Sequence, residues 1–115
     1  MKIALVEKKT KPREKDIQRK IVKFLKDNDF SVDVNTENMY TTAGRADIVA
    51  CKCGIYIAIE VKKPGKKPTA LQQSWLKEKE DHGAIVMVAT SVEDVEKHLI
   101  KLLANVSEQV LHFHS

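Results

Sequence analysis

The sequence predicts an α/β fold in which helices flank a mixed sheet of four or five strands. Three observations support this class: apolar residues at helical spacing between residues 12 and 27, two apolar runs joined by a tight turn between residues 48 and 62, and a helix followed by a strand between residues 69 and 89. A chain of 115 residues is long enough to bury roughly two thirds of its unfolded surface. We therefore expect one domain over residues 1–115.

The first helix is predicted from Pro12 to about Asp27, because proline suits the first turn of a helix. Its inner stripe consists of apolar residues at helical spacing: Ile17, Ile21, Phe24 and Leu25. Glu14 falls on the same stripe, three residues before Ile17, so its carboxylate is expected on the core side. The alternative is an acid stabilised by the positive end of the helix.

The strands are predicted from alternating or continuous apolar runs. Residues 30–34 alternate as a half-exposed strand, and the runs 48–51 and 55–62 can pair antiparallel through a turn at residues 52–54. Residues 35–43 are polar and form a candidate substrate-facing loop. Gly44 is expected to supply a turn that a side chain would obstruct.

Charged residues interrupt this hairpin. Asp47 opens its first strand, and Glu60 and Lys62 lie two residues apart on one side of the second. Charges in so apolar a strand are tolerated when they are paired, bound to metal or in a hydrated site. Carboxylate oxygens suit magnesium or manganese, and a lysine can orient an attacking water or stabilise a phosphate. The pattern therefore favours metal-assisted phosphodiester hydrolysis.

These residues resemble a known family. Asp47, Glu60-Val61-Lys62 and Gln72 are similar to the D…ExK…Q pattern of the PD-(D/E)xK nucleases, and their flanks resemble the virus-type replication-repair nuclease (VRR-NUC) branch. The corresponding family motifs are G-x-P-D, E-V-K-x-P-G and T-P-E-Q. They align with Gly44-Arg45-Ala46-Asp47, Glu60-Val61-Lys62-Lys63-Pro64-Gly65 and Thr69-Ala70-Leu71-Gln72. Ala46 replaces the family's proline. The resemblance spans residues 14 to about 95.

The resemblance implies a restriction-endonuclease-like core and a metal-dependent DNA endonuclease. It implies that Glu14, Asp47 and Glu60, with the backbone carbonyl of Val61, hold one or two Mg²⁺ or Mn²⁺ ions. Lys62 would position the attacking water or stabilise charge in the transition state.

Gln72 has two interpretations. The resemblance implies a functional glutamine that holds a water or a phosphate, with Gln73 as the alternative if the register is shifted by one. However, Thr69-Ala70-Leu71-Gln72 is also a capping-box pattern, in which Gln72 bonds back to the Thr69 amide. The helix that begins at Thr69 is predicted to reach about Asp81, with Gly83 as its stop and three inward residues: Leu71, Trp75 and Leu76.

Basic residues are distributed unevenly. Residues 1–26 carry ten Lys and Arg against three acids, a net charge of +7, whereas the whole chain carries +4. Such a basic region suits DNA, although a solvated lysine-rich helix is the alternative. A basic loop of Lys63, Lys66 and Lys67 next to the carboxylates would contact the DNA backbone, unless it serves only solubility. Arg45 either reaches a phosphate or pairs with an acid.

The C-terminal third predicts a buried strand over residues 84–89 and a last helix capped by Ser91 to Asp94. The inner stripe of that helix is apolar: Val92, Val95, Leu99, Leu102 and Val106. Residues 110–113 predict an edge strand or a partner contact.

Composition excludes several classes. With 43% apolar and 31% charged residues, and no apolar run near the roughly 20 residues of a membrane span, we expect a cytoplasmic protein with no membrane partner. Cys51 and Cys53 are expected as reduced thiols. Together with His112 and His114 they form a C-x-C…H-x-H pattern whose spacing differs from that of zinc fingers.

The partners follow from size and resemblance. Specificity in so small a domain would come from DNA shape, a second subunit or a partner protein. A homodimer with two sites related by a twofold axis suits branched, symmetric DNA such as a four-way junction in replication, repair or recombination. Two alternatives remain: a non-catalytic basic DNA-binding subunit, and a small interaction module with a fortuitous ExK.

Overall fold

A computed structural model describes residues 13–36 and 44–102. In chain order its elements are α1 (Glu14–Asp27), β1 (Ser31–Val34), β2 (Ile48–Lys52), β3 (Ile55–Val61), α2 (Ala70–Asp81) and β4 (Ile85–Ala89). A third helix, α3, runs from residue 92 to residue 102, where the described range ends. The predicted order of elements is confirmed. The predictions for Pro12, residues 37–43, Val106, residues 110–113 and the two terminal histidines fall outside the described residues.

The four strands form one mixed sheet in the order β1-β2-β3-β4. β1, β2 and β3 pair antiparallel, with Ile48 opposite Ile59 in the hairpin. β4 pairs parallel with β3, and α2 provides the crossover between them. The predicted mixed sheet flanked by helices is therefore confirmed.

Each face of the sheet is covered by helix, because alternate strand residues point to opposite sides. On the α1 and α3 face, Ile21 and Leu25 are fully buried against isoleucines of β2 and β3. Burying one such side chain stabilises the fold by roughly 1.5–3 kcal/mol. On the α2 face a smaller cluster contains Ala46, Val49, Ala58 and Leu76. The sheet thus has a larger apolar face and a smaller one.

One inward prediction is wrong. Leu71 is 62% exposed, whereas Leu76 is buried as predicted and Trp75 is half-buried. At 3.6 residues per turn, Leu71 lies about 140° around the helix from Leu76. A short helix with a narrow contact on the sheet leaves such a position in solvent.

Both complete helices end in a left-handed residue that lets the chain turn back. Asp29 (φ 65°) follows α1, and the next amide, that of Phe30, donates to the Leu25 carbonyl. Gly83 (φ 100°) follows α2, which confirms it as the predicted stop. The hydrogen bond from the Phe30 amide to the Leu25 carbonyl at the end of α1 is typical of the Schellman motif.

The start of α3 is held by Asp94. Its Oδ2 accepts hydrogen bonds from the Thr90 amide at 2.9 Å and from the Thr90 hydroxyl at 2.8 Å, while the Ser91 hydroxyl accepts from the Asp94 amide at 3.2 Å. These donors favour the carboxylate, so they lower the pKa of Asp94 below its ordinary 3.8. The predicted cap is confirmed.

We expect Asp94→Asn to destabilise the fold by about 1 kcal/mol at pH 7. The folded pKa lies below the unfolded one, so the contribution of the carboxylate is complete above the unfolded pKa and is lost as the pH falls through the folded pKa. Urea unfolding of the wild type and the variant should therefore show a difference that shrinks below pH 3.8. A difference that is the same at pH 3 and pH 7 would contradict the role of the charge.

Within the described part of the chain, no helix combines the length and apolar character that crossing a membrane requires.

Candidate active site

Asp47 and Glu60 lie side by side on neighbouring strands. The β2–β3 register pairs Ile48 with Ile59, so continuing it by one residue places Asp47 opposite Glu60. Residues directly opposite in an antiparallel pair share a face. Ile48 and Ile59 belong to the core on the α1 side, and the two carboxyl groups therefore project toward the α2 side, at the end of the hairpin away from its turn.

The backbone of β3 orients Asp47. Asp47 Oδ2 accepts a hydrogen bond of 2.8 Å from the Val61 amide. In an antiparallel ladder the N–H and C=O groups of one residue point to the same neighbour. The Val61 carbonyl therefore also faces the Asp47 side of the strand, where the metal-ligand prediction needs it.

Glu60 is the one buried charged residue in the described ranges, with 1% exposure. Its Oε2 lies 3.3 Å from Lys62 Nζ, and the Lys62 side chain is 14% exposed. Its other oxygen, Oε1, is buried without a hydrogen-bond partner. An unsatisfied buried acceptor costs roughly 1–3 kcal/mol. As a carboxylate, Glu60 thus presents one oxygen that no donor of the described chain satisfies.

The electrostatics of the pair favour a bound cation. Burial, reinforced by the Asp47 charge, raises the pKa of Glu60 from 4.5 to about 7, against the opposing effect of Lys62. Burial also raises the pKa of Asp47, although the Val61 amide opposes the rise. Two carboxyl groups that resist simultaneous ionisation retain a proton near neutral pH. A divalent cation can replace that proton.

Glu14 stands farther from this pair. It is the half-buried first residue of α1, and its charge is the weakest of the five influences on the pKa of Asp47. In residues 13–36 and 44–102 no three Asp, Glu, His or Cys side chains cluster closely enough to hold a metal. Asp47 and Glu60 are brought together, whereas Glu14 as a ligand stays a prediction.

Gln72 is engaged in the cap of α2. Its Oε1 accepts from the Thr69 amide at 2.8 Å, and the Thr69 hydroxyl accepts from the Gln72 amide at 3.2 Å. Gln73 Nε2 donates instead to the Pro68 carbonyl at 3.0 Å. The structure thus contains the capping box that was the alternative interpretation. A role for Gln72 in the site stays a prediction, and it would rest on its amide nitrogen.

A glycine contact joins α2 to the Asp47 segment. A β-carbon on Gly44 would lie 2.6 Å from the carbonyl oxygen of Leu71, and Gly44 has a φ of +81°. Only glycine permits both this conformation and this approach. The predicted reason for Gly44 is confirmed. The first turn of α2 packs directly against Gly44, which precedes Asp47 by three residues.

The residues predicted to contact phosphate lie close in sequence to Asp47 and Glu60. Lys63, Lys66 and Lys67 follow β3 directly, and the last two are exposed, whereas Lys63 and Arg45 are half-buried. Among the residues that the structure describes, none of these four forms an ion pair. Arg45 therefore does not pair with an acid of the described residues.

The sequence placed Asn35 in the candidate substrate-facing loop of residues 35–43 and gave it no role of its own, whereas the structure places it at the end of a paired strand. The Asn35 amide donates a hydrogen bond of 2.8 Å to the Asp47 carbonyl, which extends the β1–β2 pairing by one residue beyond Val34 and Ile48. Local sequence carries little signal for this position, because it depends on the pairing register of two strands far apart in the chain.

The solved structures that share this fold include two VRR_NUC domains. One, described as a VRR_NUC domain, superposes with a TM-score of 0.65 and 22% identity over 75% of this chain and 92% of that chain. The other, a VRR_NUC domain protein, gives a TM-score of 0.65 and 18% identity over 81% of this chain and 89% of that one. No family model and no curated protein matches the sequence. The likeness shows that the chain has the fold of VRR_NUC domains, as the resemblance predicted.

Proposed function

We propose that this chain, with its VRR_NUC fold, is a metal-dependent endonuclease that hydrolyses DNA phosphodiester bonds and selects branched DNA such as a four-way junction. One observation carries the proposal: the buried carboxylate of Glu60, with an unpartnered oxygen, lies beside Asp47 and Lys62. Buried charges that are left partly unsatisfied lower stability. Their presence on an otherwise apolar sheet is therefore best explained by a catalytic role.

The donor set fits Mg²⁺ or Mn²⁺. Asp47 and Glu60 offer carboxylate oxygens, and the Val61 carbonyl points toward the strand next to Asp47. Mg²⁺ commonly uses one or two carboxylates and completes its shell with waters and substrate phosphate, so a pair of acids is sufficient. When bound, the ion polarises the scissile phosphate and lowers the pKa of the attacking water. Glu14 would add a third carboxylate from α1.

Lys62 supplies the positive charge that the reaction needs at a fixed place. Its Nζ is held by Glu60 at 3.3 Å, and only 14% of its side chain is exposed. A positioned ammonium in a poorly solvated site stabilises developing negative charge more strongly than one in water. Lys62 thus orients the attacking water or stabilises the negative charge that develops on the phosphate in the transition state.

DNA would be held by basic groups on either side of the carboxylates. Lys63, Lys66 and Lys67 extend from β3, and Arg45 precedes Asp47 by two residues. Such contacts position the duplex backbone without reading bases. In a homodimer, two such sites related by a twofold axis would match the symmetry of a four-way junction.

Cleavage of labelled duplex, flap and four-way-junction DNA with Mn²⁺, Mg²⁺ or EDTA tests the proposal. We expect the wild type to cut only with metal and to prefer the junction. Lys62→Ala should lower the rate by about 100-fold or more, because it removes the ammonium group that lies 3.3 Å from Glu60. The matched control is Lys77→Ala, an exposed lysine paired with Asp81 on α2, which should cut like the wild type.

The opposite outcome is equally informative. If no substrate is cut while salt-sensitive DNA binding persists, the chain is a DNA-binding subunit and the catalytic proposal is wrong. If Lys62→Ala cuts as fast as the wild type, the site lies elsewhere.

A further inference from the structure

Asn35 extends the row of Asp47 and Glu60 onto a third strand. The β1–β2 register pairs Val34 with Ile48, so the next pair is Asn35 and Asp47, and the 2.8 Å hydrogen bond between their backbones shows that the pairing continues. Val32 packs on the α1 side, and alternation along the strand therefore directs Asn35 to the α2 side. Asn35, Asp47 and Glu60 share one face in three adjacent strand positions.

An independent observation singles out the same two outer residues. In the described part of the chain, two side-chain polar atoms are buried without a hydrogen-bond partner, and they are Asn35 Oδ1 and Glu60 Oε1. Native structures leave few such atoms, and each calls for an explanation. These two lie on either side of Asp47, so one ligand between the strands can account for both.

We propose that Asn35 is a third oxygen donor of the site, whose side-chain carbonyl helps to hold the divalent cation directly or through one of the ion's waters. The inference rests on the proposed function. Side-chain amide oxygens are ordinary ligands of hard cations, and groups around a metal site tune its affinity even when they act through a water. Asp47 and Glu60 already balance a double positive charge, so a neutral oxygen adds a ligand without adding net charge.

The amide of Asn35 has a second possible orientation, because its oxygen and nitrogen are assigned from their surroundings. In that orientation the NH₂ group donates to the Asp47 carboxylate and only positions it. The two roles respond oppositely to Asn35→Asp. A carboxylate at this position adds an oxygen donor for a cation, whereas it would repel Asp47 if a hydrogen-bond donor were needed.

Calorimetric titration of MnCl₂ into the DNA-free protein separates these cases. We expect Asn35→Ala to weaken Mn²⁺ binding by about 10- to 100-fold and Asn35→Asp to bind at least as tightly as the wild type. The matched control is Ser31→Ala, since Ser31 is an exposed, neutral residue of the same strand and the same face; it lies four residues from Asn35, roughly 13 Å along the strand, so its affinity should stay within about twofold of wild type. Metal-free thermal melts of Asn35→Ala should match or exceed those of the wild type, because the substitution removes an unsatisfied group.

Four results would overturn the inference. If the wild type binds Mn²⁺ and Asn35→Ala binds it with the same affinity, Asn35 is not a ligand. That result leaves the proposed function intact. Loss of binding in Asn35→Asp, or a lowered metal-free melting temperature in Asn35→Ala, assigns it a structural role. Absence of Mn²⁺ binding by the wild type rejects both this inference and the proposed function.

Discussion

Glu60→Gln is expected to lower the rate of metal-dependent DNA cleavage by about 1000-fold or more. The same change should not destabilise the metal-free protein at pH 8. Glutamine has nearly the shape of the neutral acid, so it fills the same buried position. It lacks the negative charge that holds a cation. Rates on four-way-junction DNA and unfolding in the presence of EDTA measure the two effects separately.

The stability effect of Glu60→Gln should depend on pH in a defined direction. The pKa of Glu60 is raised from 4.5 to about 7 in the fold, so the unfolded chain loses this proton first, and the folded state loses relative stability as the pH rises between these values. The variant lacks this group. Its free energy of unfolding should match that of the wild type near pH 4 and exceed it by on the order of 1–3 kcal/mol at pH 8.

Added Mn²⁺ should reverse this order, because a ligand that binds only the folded wild type raises its melting temperature. Glu78→Gln is the matched control: the side chain of Glu78, on α2, is 66% exposed, and its replacement should change neither cleavage nor the pH dependence. A variant at Glu60 that still cuts DNA, or that unfolds more easily than the wild type at pH 8 in EDTA, would contradict the assigned role.

Gly44→Ala is expected to have the largest effect on stability of any change outside the core, a loss of roughly 2–4 kcal/mol. Its β-carbon would lie 2.6 Å from the Leu71 carbonyl oxygen and 3.1 Å from the Leu71 β-carbon. The first turn of α2 and the segment leading to Asp47 must then move apart. Because this contact sets the position of Asp47, DNA cleavage should fall together with stability.

Gly65→Ala separates the two contributions. Gly65 also has a positive φ of +87°, but a β-carbon there would meet nothing within 4 Å. It should therefore lose only the backbone term, about 1 kcal/mol. Urea unfolding compares the variants directly, and equal losses at the two glycines would show that the contact with Leu71 is unimportant.

The central residues of the site could be predicted because their positions depend on local pattern. Period-two alternation places Glu60 and Lys62 on one side of a strand, and the predicted turn at residues 52–54 pairs this strand with the one that follows Asp47. The structure shortens that turn to Cys53 and Gly54, because Lys52 belongs to β2 and pairs with Ile55. The turn itself has positive φ at both residues, 50° and 81°, as the hairpin requires. Short-range rules therefore sufficed to bring two carboxylates and a lysine together.

Positions that depend on tertiary packing were harder to predict. Leu71 fits a helical stripe, but the narrow contact of α2 with the sheet leaves it exposed. The neighbourhood of Asn35 is set by the register between β1 and β2, which no local motif encodes. Gln72 satisfied two patterns at once, and only the packed helix shows that its oxygen caps the first turn.

The most direct test of the central claim is calorimetric titration of Mn²⁺ into the wild type and Asp47→Asn. Asparagine keeps an oxygen that can accept the 2.8 Å hydrogen bond from the Val61 amide, so the fold should persist and its circular dichroism should be unchanged. If Asp47 and Glu60 hold the ion, the wild type will show saturable binding that is lost in the variant, together with DNA cleavage. Undiminished Mn²⁺ binding by Asp47→Asn, or no Mn²⁺ binding by the wild type, would contradict the claim that Asp47 and Glu60 hold the ion.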